Sequence, residues 1–207
     1  MNPIRKKRNL FKIIILGDSG VGKTSLLNQY VTKQFSSQYK ATIGADFMTK
    51  DITINDQQIS LQIWDTAGHE RFASFGTAFY RGADVCMLVC DVTVAESFEH
   101  LEVWRKEFIS GGNPSDPESF PYVVIANKND CEPANRAVSS DQLRQWCITN
   151  GYEFFECSAK TGWNVDSAFT KAATLVAMRQ KEVPQPEPLP SVQIDLQPDK
   201  TQSSCSC

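Results

Sequence analysis

The join between residues 11 and 33 narrows the folds open to this chain more than any other feature. Phe11-Lys12-Ile13-Ile14-Ile15-Leu16 is short, rich in isoleucine and ends at a glycine, the pattern of a buried strand. Gly17-Asp18-Ser19-Gly20-Val21-Gly22-Lys23-Thr24 follows, and Lys23 to Lys33 places Leu26, Leu27, Tyr30 and Val31 on one helical face. Strand, glycine-rich turn and helix in this order put the free N–H groups of a helix N-terminus beside a bare backbone, which is a seat for an anion. The spacing G-x-x-x-x-G-K-T is complete and lies in the strand-to-helix context the motif requires. Its expected phosphate contacts are Ser19, Gly20, Val21, Gly22, Lys23, Thr24 and Ser25. Lys23 would reach the β- and γ-phosphates, and the Thr24 hydroxyl would ligate Mg²⁺.

The alternation continues along the chain. Ile52 and Ile54, then Ile59, Leu61 and Ile63, alternate with polar residues and suit two strands joined at Asn55-Asp56. Val85–Cys90 and Tyr122–Ala126 are apolar throughout, as central parallel strands are. Helices are predicted over Val94–Ile109 and Ser140–Asn150, the second opened by a Ser139-x-x-Gln142 capping box. A last strand is predicted over Tyr152–Cys157 and a last amphipathic helix over Asn164–Arg179. The whole predicts a doubly wound α/β domain with a mostly parallel sheet, binding its ligand beyond the carboxyl ends of the strands.

At 207 residues, one domain and a tail fit better than two domains. A basic arm over 1–8, a domain over 9–181 and a proline-rich, then polar, disordered tail over 182–207 are expected. Ser110–Pro117 is expected as an exposed loop. A net charge of −3 argues against a general nucleic-acid binder and against purely electrostatic attachment to anionic lipid. Five cysteines, Cys86, Cys90, Cys131, Cys147 and Cys157, lie in or beside apolar runs and read as buried free thiols of a reducing compartment. No secretory h-region and no run of about 20 apolar residues is present, so the cytosol is the expected compartment.

Three further segments close predicted strands. Trp64-Asp65-Thr66-Ala67-Gly68 offers an acid for Mg²⁺, through water, and a side-chain-free N–H at Gly68 for a γ-phosphate. Asn127-Lys128-Asn129-Asp130 offers a carboxylate that accepts two N–H bonds from a guanine edge; adenine would leave it unpaired. Asn127 can tie this loop to the glycine-rich one, Lys128 can lie over the base, and Ser158-Ala159-Lys160 can support the base through its backbone. An ATPase or nucleotide kinase would not need Asp130.

These segments resemble the Ras-like small GTPases, and within them the Rab family. The Rab resemblance is carried by Ile43-Gly44-Ala45-Asp46-Phe47, Gln62–Gly68, Glu70-Arg71-Phe72 and Phe79-Tyr80-Arg81-Gly82-Ala83. Gln38–Phe47 and the ending Ser204-Cys205-Ser206-Cys207 are most similar to the late-endosomal and lysosomal Rabs. The resemblance implies a six-stranded P-loop GTPase fold and a monomeric GTP/GDP switch that hydrolyses GTP with Mg²⁺. It places Phe35 against the guanine, Tyr39 among the nucleotide contacts and Thr42 on Mg²⁺ in the GTP state. It makes Phe47, Trp64 and Phe79 the aromatic trio that meets effectors. It implies an exchange factor, an activating protein, a GDP-dissociation inhibitor, an escort protein and a tethering complex as partners. Cys205 and Cys207 would carry geranylgeranyl groups; two chains anchor where one is marginal. The chain would then cycle between cytosol and late-endosomal or lysosomal membranes.

His69 departs from the pattern. It stands beside the catalytic Gly68 and Lys23 where the family usually has the glutamine that orients the attacking water. A neutral imidazole has one donor and one acceptor on opposite sides of a stiff ring, a poor shape for that task. Slow intrinsic hydrolysis is expected; it matters little where an activating protein supplies its own glutamine. The alternative is a GTP-loaded binding module whose hydrolysis is incidental.

Overall fold

A computed structural model describes residues 10–68 and 78–182, with side chains to residue 179. In chain order the elements are β1 (Leu10–Leu16), α1 (Lys23–Thr32), β2 (Ala45–Ile54), β3 (Gln57–Thr66) and β4 (Val85–Asp91). Then come α2 (Ala95–Glu99), α3 (Leu101–Gly112), β5 (Tyr122–Asn127), α4 (Ser140–Asn150), β6 (Glu153–Glu156) and α5 (Val165–Glu182). The strands form one sheet in the order β2-β3-β1-β4-β5-β6. Only the β2–β3 pair is antiparallel. The α/β architecture expected from the alternation is the observed one.

Burial follows the apolar pattern. Every residue of β4 and β5 is buried, because helices cover both faces there. One face is packed by α1 and α5, where the Tyr30 and Phe169 rings stack with centroids 4.2 Å apart. The other face is packed by α3 and α4, with Trp104, Phe108 and Leu143 against Ile14, Leu88 and Val124. The β2–β3 turn falls at Asn55-Asp56 as expected. Both residues are left-handed, with φ 49° and 61°, the mirror-image turn whose twist matches a hairpin.

Four expectations need correction. The helix predicted over Val94–Ile109 is two helices, α2 and α3, separated by His100. Its end lies later than predicted: Ser110, Gly111 and Gly112 close α3, and left-handed Asn113 caps it by donating its N–H to the Ile109 carbonyl at 3.1 Å. A Cβ on Gly112 would press on the Phe108 ring and on Tyr80, so the glycine permits close packing where composition suggested a loop. The last helix starts at Val165, because Asn164 has φ 60° and its side-chain amide donates to the Glu156 carbonyl at 3.0 Å. Cys131 is only half-buried, whereas the other four body cysteines are buried free thiols as expected. Ser139 accepts from the Gln142 N–H at 3.2 Å, the serine half of the expected cap. Among the described residues no helix is long and apolar enough to cross a membrane. The basic arm, His69, Glu70-Arg71-Phe72, Cys205, Cys207 and all of the expected tail but Glu182 lie outside the described residues.

Candidate nucleotide site

The carboxyl ends of β1, β3, β5 and β6 open on one side of the sheet, and the loops that follow them meet round a cleft of about 530 Å³. Ser19, Gly20, Gly22, Lys23, Thr24 and Ser25 line it from the first loop and α1. Phe35, Tyr39 and Thr42 line it from the segment before β2, Gly68 from the end of β3, and Asn127, Lys128, Asp130, Ala159 and Lys160 from beyond β5 and β6. Three predicted residues stand behind the wall. The Val21 side chain is in the core, Ser158 is buried under Asp130, and Asp65 is buried beneath Thr24.

Tertiary contacts shape the glycine-rich loop. Gly22 opens α1 with φ 98°, and a Cβ there would collide with the Asn127 amide. That amide donates to the Val21 carbonyl at 2.8 Å, while its oxygen accepts from the Ala159 N–H at 3.1 Å. One buried side chain thus ties three loops together. Gly68 lies against the backbone of Asp18 and Ser19, with no room for a side chain. Lys23 is 5% exposed and donates to the Gly17 and Asp18 carbonyls at 2.7 and 2.8 Å. Burial lowers its pKa to about 8, against the pull of Asp65 and Asp18. A buried cation held only by carbonyls and distant carboxylates favours an anion arriving in the loop.

Beside it lies a cluster of hard oxygens. The Thr24 and Thr42 hydroxyls are 2.9 Å apart and donate to Asp65 Oδ2 at 2.6 and 3.2 Å. Asp65 Oδ1 is buried and has no hydrogen-bond partner among the described residues. Burial raises the Asp65 pKa, although Thr24, Lys23 and Thr42 favour its charged form. Two hydroxyls and a carboxylate with an orphaned oxygen fit a small oxygen-seeking dication.

At the far end, the Ser158 hydroxyl donates to Asp130 Oδ1 at 2.7 Å and Lys160 Nζ stands 3.5 Å from Oδ2. Partial burial pushes the Asp130 carboxyl up, but these groups and a backbone N–H outweigh it and hold its pKa below the usual value. Asp130 therefore presents an ionised acceptor. Lys128, left-handed at φ 65°, pairs with buried Asp91 at 2.5 Å, and Asp91 Oδ1 also accepts from the Thr93 N–H and hydroxyl. Tyr39 closes over the first loop through its hydroxyl, 2.8 Å from Ser19 Oγ.

Several contributors escaped the sequence reading. Asp91 and Thr93 end an apolar strand, as motif residues do, yet only β4 beside β5 shows that they support Lys128. Arg136 fixes the loop after β5 by donating to Asn129 Oδ1 at 2.6 Å and pairing with Glu156. Asp18 is held by His100 and Trp104 from α3 and the residue before it. A lone arginine or histidine far away in sequence carries no local signal of such a role.

Residues 12–178 match the family described as the Ras family. The chain belongs to the Ras family. Its similarity to curated relatives places it in the Rab branch, among the Rab7-like proteins. It is 52% identical to the Ras-related protein RABG3d of Arabidopsis thaliana over 204 residues, 98% of each chain. It is 56% identical to the GTP-binding protein yptV5 of Volvox carteri over 178 residues, 86% of this chain and 87% of that one. It is 60% identical to the Ras-related protein Rab7 of Prunus armeniaca over 166 residues, 79% and 80% of the two. This Rab is a small GTPase that hydrolyses GTP to GDP and phosphate, and Ras-family proteins use GTP, GDP and Mg²⁺ in general.

Phe47, Trp64 and Phe79 form a row. The Phe47 and Trp64 rings stack at 5.0 Å, and Trp64 and Phe79 lie 5.5 Å apart. Lys12 Nζ sits 4.5 Å from the Trp64 ring centroid.

Proposed function

We propose that this Rab is a membrane-traffic switch of the late-endosomal or lysosomal kind, working through the cleft described above. The convergence of four strand-end loops on one cleft, with an ionised Asp130 at one end and Lys23 at the other, carries this reading. Asp130 selects guanine, and Lys128, Phe35, Ala159 and Lys160 surround the base. The N–H groups of Ser19–Ser25 and the Lys23 ammonium hold the phosphates. Thr24 and Thr42 would ligate Mg²⁺, with Asp65 behind them acting through water. The ion would neutralise phosphate charge when bound. Gly68, packed on the backbone of Asp18 and Ser19, would offer its N–H to the γ-phosphate.

His69 makes intrinsic hydrolysis slow, because an imidazole holds the attacking water less well than an amide. The Phe47-Trp64-Phe79 row, with Phe47 exposed and the other two half-buried, receives effectors, since clustered aromatics at a surface make binding anchors. Cys205 and Cys207 carry the lipid, and an exchange factor, activating protein, GDP-dissociation inhibitor and escort protein serve the cycle. The test is single-turnover GTP hydrolysis by wild type and His69→Gln, with and without a Rab-activating domain. The glutamine variant should hydrolyse roughly tenfold faster alone, about 1.4 kcal/mol of barrier, with GTP and GDP affinity unchanged. Equal intrinsic rates would refute the assignment of His69 to the water. Wild type that stays inert even with the activator would favour the GTP-loaded binding module.

A further inference from the structure

We infer that Asp18, His100 and Trp104 form a clasp on the glycine-rich loop, in which His100 is a positioning residue whose proton slows nucleotide release. The Asp18 carboxylate is held by Trp104 of α3 and by His100 before it, and Asp18 is not among the residues that line the cleft. Its Oδ1 accepts from Trp104 Nε1 at 2.7 Å and its Oδ2 lies 2.8 Å from His100 Nδ1. The Asp18 backbone meets the working parts of the site: its carbonyl accepts from Lys23, and it is the surface on which Gly68 rests.

The loop therefore has two anchors. At one end Asn127, 1% exposed, holds the Val21 carbonyl. At the other end the clasp holds Asp18. Trp104 is its fixed post, buried in the second core, while the His100 side chain is 41% exposed and open to solvent protons. A loop wrapped round phosphates must loosen at one anchor to let them go, and the exposed, titratable one yields first.

The charges facing His100 are all acidic among those the structure identifies: Asp18 from the loop, Glu96 at 3.8 Å from Nε2, and Glu99. The hydrogen bond to Asp18 raises the His100 pKa most; burial opposes it, and attraction to Asp18, Glu96 and Glu99 adds to the rise. The charge-assisted clasp is thus fully present below the ordinary histidine value of about 6.5, and it weakens as pH rises through the raised value. Release should accelerate towards the alkaline side.

The experiment follows loss of GDP with a fluorescent ribose label from the full-length chain, with Mg²⁺ and excess unlabelled GDP, between about pH 6 and pH 8.5. Wild type should release about threefold faster or more at the alkaline end. His100→Ala should release fast throughout and lose the slope. His100→Gln, a neutral donor, should lose the slope and fall between the two rates. A flat wild-type profile overturns the inference, and so does a wild-type slope that persists undiminished in His100→Ala.

Discussion

Asn127 joins three loops with one amide: it donates to Val21, accepts from Ala159, and sits where Gly22 leaves room for it. Asn127→Ala would leave a buried carbonyl and a buried N–H without their partners. The expected cost is about 2 kcal/mol or more, or several degrees of melting temperature in a domain of this size, read by thermal unfolding. Asp130 acts differently: its carboxylate lines the cleft, held there by the Ser158 hydroxyl and Lys160. Asp130→Asn should weaken GTP and favour the xanthine nucleotide, whose 2-position carries an acceptor. Nucleotide competition would test this, and wild type should prefer GTP over ATP by at least about 10⁴-fold. Equal binding of GTP and ATP would remove the guanine assignment.

At the scale of elements, the β2–β3 hairpin carries Phe47 and Trp64 of the aromatic row, and the segments at its ends border the cleft. Its register runs unbroken from Ala45↔Thr66 to Ile54↔Gln57, so the turn sets which side chains share a face with Phe47 and Trp64. Asn55 and Asp56 both hold a left-handed backbone that glycine adopts without strain. Asp56→Gly should stabilise the domain by about 0.5 kcal/mol, visible as a small rise in the urea midpoint with an unchanged m-value. The first turn of α4 offers the opposite test. Ser139→Ala removes the side-chain acceptor for the Gln142 N–H and should cost about 1 kcal/mol by the same measurement.

At the scale of the whole molecule, catalysis and membrane attachment are assigned to separate parts of the chain. With a net charge of −3 the protein has little electrostatic hold on anionic lipid. Replacing both Cys205 and Cys207 with serine should leave GTP affinity intact and move the protein to the soluble fraction on cell fractionation. Keeping one cysteine should give partial, reversible attachment, since a single chain binds marginally. Retention of the double variant on membranes would mean that another surface does the anchoring.

Sequence alone determined the fold class, the glycine-rich loop, the Asn127–Asp130 segment and the hairpin turn. Each depends on neighbours in the chain: a strand ending in glycine, a helix starting at Lys23, alternation about Asn55-Asp56. Motif spacing records such geometry directly, because the residues that build it are consecutive. Tertiary structure decided what lies between segments. The glycine end of α3, which composition read as a loop, follows from the packing of Gly112 against Tyr80 and Phe108. The Arg136 brace, the Asp91–Lys128 pair and the Asp18–His100–Trp104 clasp join side chains brought together only when the sheet orders β1, β4, β5 and β6 side by side. Their residues are ordinary one by one, and 82 positions separate Asp18 from His100. Long-range hydrogen bonds leave no periodic trace in a sequence, so only the packed domain shows what holds the loop in place.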